Sequence, residues 1–214
     1  MSYNFPEGGK FLFSNTFAGA KILATLSNAN PAAAGSVAHG YLDNDEVVLT
    51  SGWEDATDSV FRVDQTSVDA FNILGLDTSD TNLFTAGGGA NSQAKKISNW
   101  IEVPQVLTIG TSGGDARFAQ VNPVFRRNGI SRPLGFNPTT IMLTLAHDAS
   151  NASYQTMLGI SRVLSLVAFK LLLADGSASY GFGYMAVSEV PSVSAGNPNS
   201  VTAVFSAQGR TISY

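Results

Sequence analysis

The sequence predicts a mainly β protein with a single α-helix, organised as two bodies of opposite charge. Three observations carry that expectation. Val, Ile, Thr, Phe and Ser outweigh Glu, Lys and Arg, a balance that favours pleated strands over helices. Period-2 alternation recurs along the chain, whereas the 3.6-residue period is confined to one stretch after residue 151. Charge is segregated: residues 30–94 hold ten acids against one base, Arg62, for a net −9, while the rest holds six acids and eleven bases.

Taken in order, residues 1–19 are rich in Gly, Asn and Phe, and Phe5, Phe11, Phe13 and Phe17 make an aromatic arm that wants a surface to pack on. Residues 20–26 form a first strand, broken by Ser27-Asn28-Ala29-Asn30-Pro31. The acidic segment reads as a small all-β unit, with strands at 46–50, 60–65 and 70–74 between Asp/Asn/Ser turns, and residues 87–93 form a linker-like exit. Residues 97–109 read as one strand, with Ile97, Ile101, Val103, Leu107 and Ile109 in one register. Pro104 places it at a sheet edge or a bulge, and Gly110–Asp115 ends it in a turn.

Residues 118–137 carry no clear element, yet they are too apolar for free disorder and should fold on a neighbour. Their Arg126, Arg127 and Arg132 suit the acids of a partner subunit better than nucleic acid. A strand follows at 139–146, then Asp148 or Ser150 as a helix cap, then a helix over 152–165 with a stripe of Tyr154, Met157, Leu158 and Leu164. Residues 166–174 are apolar on both faces, as a central strand is. Asp175-Gly176 turns the chain into a strand whose Tyr180, Phe182 and Tyr184 face one way and Ser179, Gly181 and Gly183 the other. The bare side implies close approach by another segment. Residues 201–208 supply the last strand.

Charged residues are 13% of the chain, about half the usual share. Either much of the surface meets other protein, or it is covered by Ser, Thr and Asn. With no cysteine, disulfides, thiolate metal sites and cysteine nucleophiles are excluded. The opening residues lack a basic-then-apolar leader and the longest apolar run is too short for a bilayer, so synthesis and folding in a cytoplasm are expected. His39 and His147 lack metal-ligand spacing, and no calcium loop, phosphate loop or dinucleotide fingerprint is present, so no cofactor is expected. Gly110-Thr111-Ser112-Gly113-Gly114 is one residue from the nucleophile motif of chymotrypsin-like proteases, with His39 and aspartates upstream in that family's order. Thr111 before the serine, the surroundings of His39 and the hundred residues after Ser112 all depart from it, and a turn explains the same five residues.

Trp100-x-Glu102-Val103-x-x-Val106-Leu107-x-Ile109, then Gly113-Gly114-Asp115, then the loop ending Gly129…Pro133-x-Gly135, resembles the major tail tube proteins of long-tailed (siphovirus-type) phages. So does the succession of a strand ending His147-Asp148, one helix, a strand, a hairpin and a last strand. The resemblance covers residues 97–214 and, more weakly, 1–29. It implies a β-sandwich or half-barrel with one helix, six copies closing into a ring with a continuous inner barrel, and rings stacking into a tube. The lumen would hold the tape measure protein and later pass DNA without sequence-specific binding. A tail terminator, neck and baseplate proteins would be the end partners, and the virion tail the location. His39-Gly40-Tyr41-Leu42-Asp43-Asn44-Asp45-Glu46-Val47 is similar to small β modules of phage virion proteins, which implies an acidic module, 30–94, inserted into a core of 1–29 and 95–214.

On this reading the protein is structural rather than an enzyme. Phe5, Phe11, Phe13, Phe17, Phe125, Arg126, Arg127, Ile130, Arg132, Leu134 and Phe136 are candidate subunit contacts. Asp43, Asp45, Glu46, Glu54, Asp55 and Asp58 are expected to meet basic surfaces of the next subunit or ring. A tail terminator or baseplate ring protein is the alternative, with a carbohydrate-binding sandwich and a serine protease more distant.

Overall fold

In the computed structural model, which describes residues 8–125 and 127–214, the chain opens with β1 (Lys10–Ser14) and β2 (Thr16–Phe17). The strand expected over 20–26 is two pieces, β3 (Lys21–Leu23) and β4 (Thr25–Leu26), because the chain changes pairing partner at Ala24. There follow β5 (Ala32–Gly35), β6 (Glu46–Thr50), a 3-10 turn at Glu54–Ala56, β7 (Ser59–Ser67) and β8 (Ala70–Leu74). Three of these sit where alternation placed them; the alanine-rich β5 gave no such signal.

The stretch 97–109 is not one strand. It is divided among β9 (Ser92–Ser98), β10 (Ile101–Glu102) and β11 (Val106–Ser112). Asn99 at φ 55° and Gln105 at φ 49° turn the chain twice, and left-handed residues of this kind leave no trace in an apolar/polar count. Ile97 and Val103 are buried as alternation requires, while Leu107 and Ile109 are exposed. Pro104 lies in the short link between β10 and β11 and so costs no ladder bond.

The remaining elements are β12 (Ala116–Val121), β13 (Ile130–Phe136), β14 (Thr140–Ala146), α1 (Ala152–Val163), β15 (Leu166–Leu172), β16 (Ala178–Val187), β17 (Ser200–Ala207) and β18 (Ile212–Ser213). The helix cap is Asn151, whose Oδ1 accepts the Ser153 and Tyr154 N–H groups at 2.9 and 3.3 Å. Asp148 is engaged one turn earlier by the Ser150 N–H and hydroxyl. Tyr154, Met157, Leu158 and Ile160 face the core, but Leu164 closes the helix at φ 51° and points outward.

All strand pairing is antiparallel, in two large sheets consistent with a β-sandwich. The first runs β10-β1-β15-β16-β17-β14-β11, with β18 also on β16. Its inner face, led by Phe11, Phe13, Leu143, Phe169, Met185 and Phe205, packs under α1. β15 is indeed interior, bonded to β1 and β16 and covered on both faces. The close approach at the glycines is Phe169 of β15, directly across from Gly181. A Cβ on Gly181 would lie 2.3 Å from that ring.

The second sheet runs β2-β9-β6-β7-β8-β5-β4, with β3 on β9. Because β3 bonds β9 and β4 bonds β5, the bend at Ala24 rolls this sheet around its own core of Leu23, Leu49, Trp53, Phe61, Phe71 and Ile73. Its strands come from residues 16–98, so β3, β4 and β9, at the margins of 30–94, share one sheet with β5–β8.

The outer face of the second sheet lies on the β15–β16 face of the first, through Val48, Val60 and Ile97 against Ala168, Tyr180 and Phe182. At the centre of this contact is Glu46. Its Oε1 accepts Lys170 Nζ at 2.9 Å and Tyr180 OH at 2.7 Å, and its Oε2 accepts the Trp100 indole N–H. Arg62, opposite Glu46 on β7, donates to Tyr180 OH from Nη2 at 2.7 Å and lies 4.6 Å above the Tyr214 ring. Tyr214 OH in turn donates to Leu74 O at 2.6 Å. The Lys170 and Glu46 side chains are only 15% and 14% exposed, so neither charge has a substitute in solvent.

Two measurements follow from this packing. Glu46→Ala strands Lys170 and part of Arg62 in the contact, and should lower unfolding free energy by about 3 kcal/mol in a urea titration. Burial pushes the Tyr41 and Tyr180 phenols up to about 12, helped at Tyr180 by its bond to Glu46. The unfolded chain releases these protons near pH 10 and the native state holds them. Stability should therefore be intact below pH 10 and fall as pH rises towards 12, with tyrosinate absorbance reporting the late ionisation.

Candidate functional site

Beyond Ser112 the β11–β14 pair does not end. Gly113 and Gly114, at φ 85° and 76°, swing the chain, and pairing resumes with Gly114 N–H to Asn137 O at 3.1 Å and Asn137 N–H to Asp115 O at 2.9 Å. A Cβ on Gly113 would sit 2.0 Å from Pro138 O, so only glycine makes this corner. β12 and β13 then run as a separate two-stranded sheet. The stretch 118–137, expected to lack regular elements, is mostly this hairpin. Arg, Pro and Gly interrupt its alternation, and a register shift at Arg117/Phe118 accommodates Leu134.

The arm buries almost nothing of its own. Phe125 is 100% and Val124 92% exposed, and Phe118, Val121, Leu134 and Phe136 are exposed with them. Ile130 is half-buried opposite Val121. Arg117, Arg127 and Arg132 are exposed and make no ion pair among the described residues. Below the arm Leu107 and Ile109 are exposed, as is Met142 on the opposite face from Ile109, and β11 is bonded on one side only. Exposed apolar side chains beside an open strand edge are features shared by association surfaces. Between this edge and β1, a groove of about 550 Å³ is lined by Phe11, Val103, Val106, Leu107, Ile109 and Leu171.

The expected contact residues divide three ways. Phe125, Arg127, Ile130, Arg132, Leu134 and Phe136 are brought together on the arm. Phe11 and Phe13, expected at a subunit contact, are 2% and 0% exposed, because β1 is a core strand and its alternation points them under α1. Phe17 is half-buried edge-on to Phe182, with ring centroids 5.8 Å apart. Phe5 and Arg126 lie outside the described residues.

The acids divide as well. Asp43 accepts the Gln65 N–H but stays exposed, whereas Asp45 binds Lys96 at 2.6 Å and Glu46 holds the two bodies together, so Asp45 and Glu46, expected at outward contacts, have partners within the chain. Glu54 and Asp55 are exposed on the 3-10 turn and Asp58 is half-buried just after it. Sequence reasoning missed Leu107, Ile109, Arg117 and Met142 as exposed residues on or beside the arm, while Phe118, Val121 and Val124 fell within the stretch 118–137 expected to fold on a neighbour. The glycine corner flanked by two apolar runs was the available sign of a hairpin.

Ser112 is an ordinary residue of β11 opposite Thr140. His39 is buried in the second body, where Nδ1 accepts the Tyr41 N–H at 3.0 Å and Nε2 bonds Ser67 O. His147 follows the other end of β14, seven residues from Thr140, roughly 23 Å along the strand. The Ser112 and His39 that suggested a protease lie apart, Ser112 on the first sheet and His39 packed on Tyr41 and Phe71 in the second body.

The family model described as phage tail tube protein, TTP, matches residues 51–214, running through both bodies and the arm. No curated protein matches the chain.

Because the arm contributes little to either core, replacing residues 116–136 with a short Gly/Ser turn should change unfolding free energy by less than about 1 kcal/mol. The same excision should abolish self-association in analytical ultracentrifugation.

Proposed function

We propose a function from one premise, that the chain belongs to the phage tail tube protein family and is a structural, non-enzymatic component of the virion tail. Copies close into rings, six to a ring, and the rings stack into a tube. The tube encloses the tape measure protein during assembly and conducts DNA at ejection. A terminator caps one end and baseplate proteins the other, and the subunits are made in the host cytoplasm.

The observation that carries this reading is the unpartnered arm beside the open β11 edge. A sheet that ends in different strands, β11 on one side and β10–β1 on the other, offers two unlike edges. Such edges join head to tail, the arrangement that closes rings or extends filaments. Low charge fits a chain whose exterior is largely covered by copies of itself. The second body, to which residues 30–94 give most of the strands, is carried on the ring-forming body by the Glu46 contact.

Negative-stain microscopy of the purified protein tests this. Long hollow tubes are the expected result. Isolated rings would shift the assignment to a terminator or baseplate role, and monomers at high concentration would overturn it.

A further inference from the structure

Most charged side chains in the described chain are satisfied at home. Lys10 binds Glu102, Lys96 binds Asp45, Arg162 binds Glu189, and Lys170 and Arg62 belong to the Glu46 contact. Asp43, Asp64, Asp69, Asp77, Asp80 and Asp148 accept hydrogen bonds from neighbouring backbone or side-chain groups. Among the described residues of the arm, Arg117, Arg127 and Arg132 have no such partner. In the acidic body the carboxylates without one are Glu54, Asp55 and Asp58, within five residues of each other.

From this complementarity we propose that the apolar arm docks on the second body of a neighbouring copy, with its arginines against the side that carries Glu54, Asp55 and Asp58. This rests on the reading of the protein as self-assembling and names the surface that receives the arm. Six paired residues at about 3.4 Å each give the arm a reach on the order of 20 Å before the tip. Reach within one chain does not explain the pattern, since the arm's arginines and aromatics stand exposed in the single copy. The apolar residues supply burial and the charges fix where the arm lands. The second body thereby becomes a structural link between copies rather than an ornament.

Zero-length carbodiimide coupling tests the docking without changing charge. Arg127→Lys and Arg132→Lys place amines on the arm, and an equal mixture of ¹⁵N-labelled and unlabelled protein marks intermolecular links by mass spectrometry. Links from position 127 or 132 to Glu54, Asp55 or Asp58 between differently labelled chains are expected. Links confined to other carboxylates, or to chains of one label, overturn the proposal.

Charge exchange gives the second readout. E54K/D55K alone, or R127E/R132E alone, should lower the sedimenting assembled fraction at least roughly tenfold, because like charges then face each other. Both reversals in one chain should restore it to within about twofold. A fourfold variant no better than the worse pair overturns the docking. Wild-type tubes combined with that result would leave the tube reading intact, whereas wild-type protein that never assembles removes both.

Discussion

The Glu46 carboxylate lies between two sheets with little water, and a charge there is tolerable only while donors surround it. Lys170 comes from β15, Tyr180 from β16, Trp100 from the turn after β9, and Glu46 itself from β6. All four must be in place together. The relative position of the two bodies is therefore specified by hydrogen-bond geometry as well as by the apolar contact of Val48, Val60 and Phe182. An apolar seam alone could slide, but a carboxylate with three directed donors cannot slide without losing one of them. The C-terminal residues add a crossing of their own: β18 bonds β16 while Ile212 enters the core of the second body.

That fixed platform gives the arm its meaning. An isolated two-stranded hairpin is at best marginally stable in water, and this one has both faces wet. What the chain does not bury itself, it offers: aromatic side chains on the arm, an open edge on β11, and a groove beside it. Family membership agrees with the physics here. A structural component of a phage tail needs contacts with its own kind far more than it needs a pocket.

Much of this was legible in the residues. The mainly β character, the single helix, the central β15 and the glycine side of β16 all follow from period and residue size. The errors have physical causes. Phe11 and Phe13 looked like part of a loose aromatic arm because β1 is only five residues long, too short for its alternation to show among the glycines. Asn99 and Gln105 reversed the chain without glycine or a turn motif to announce it. Asp45 and Glu46 looked like surface charge because their partners, Lys96 and Lys170, lie far along the chain, and distance in sequence hides a pair that the fold makes.

The short link from β10 to β11 has a mechanical meaning. Residues 103–105 join the two opposite edges of the first sheet, with Val103 buried and its N–H donated to Phe11 O at 2.8 Å. A load on β11 is thus delivered through three residues to β10 and β1, on the far side of the same sheet. Tension entering at one edge of the sheet leaves at the other along covalent bonds and ladder hydrogen bonds together.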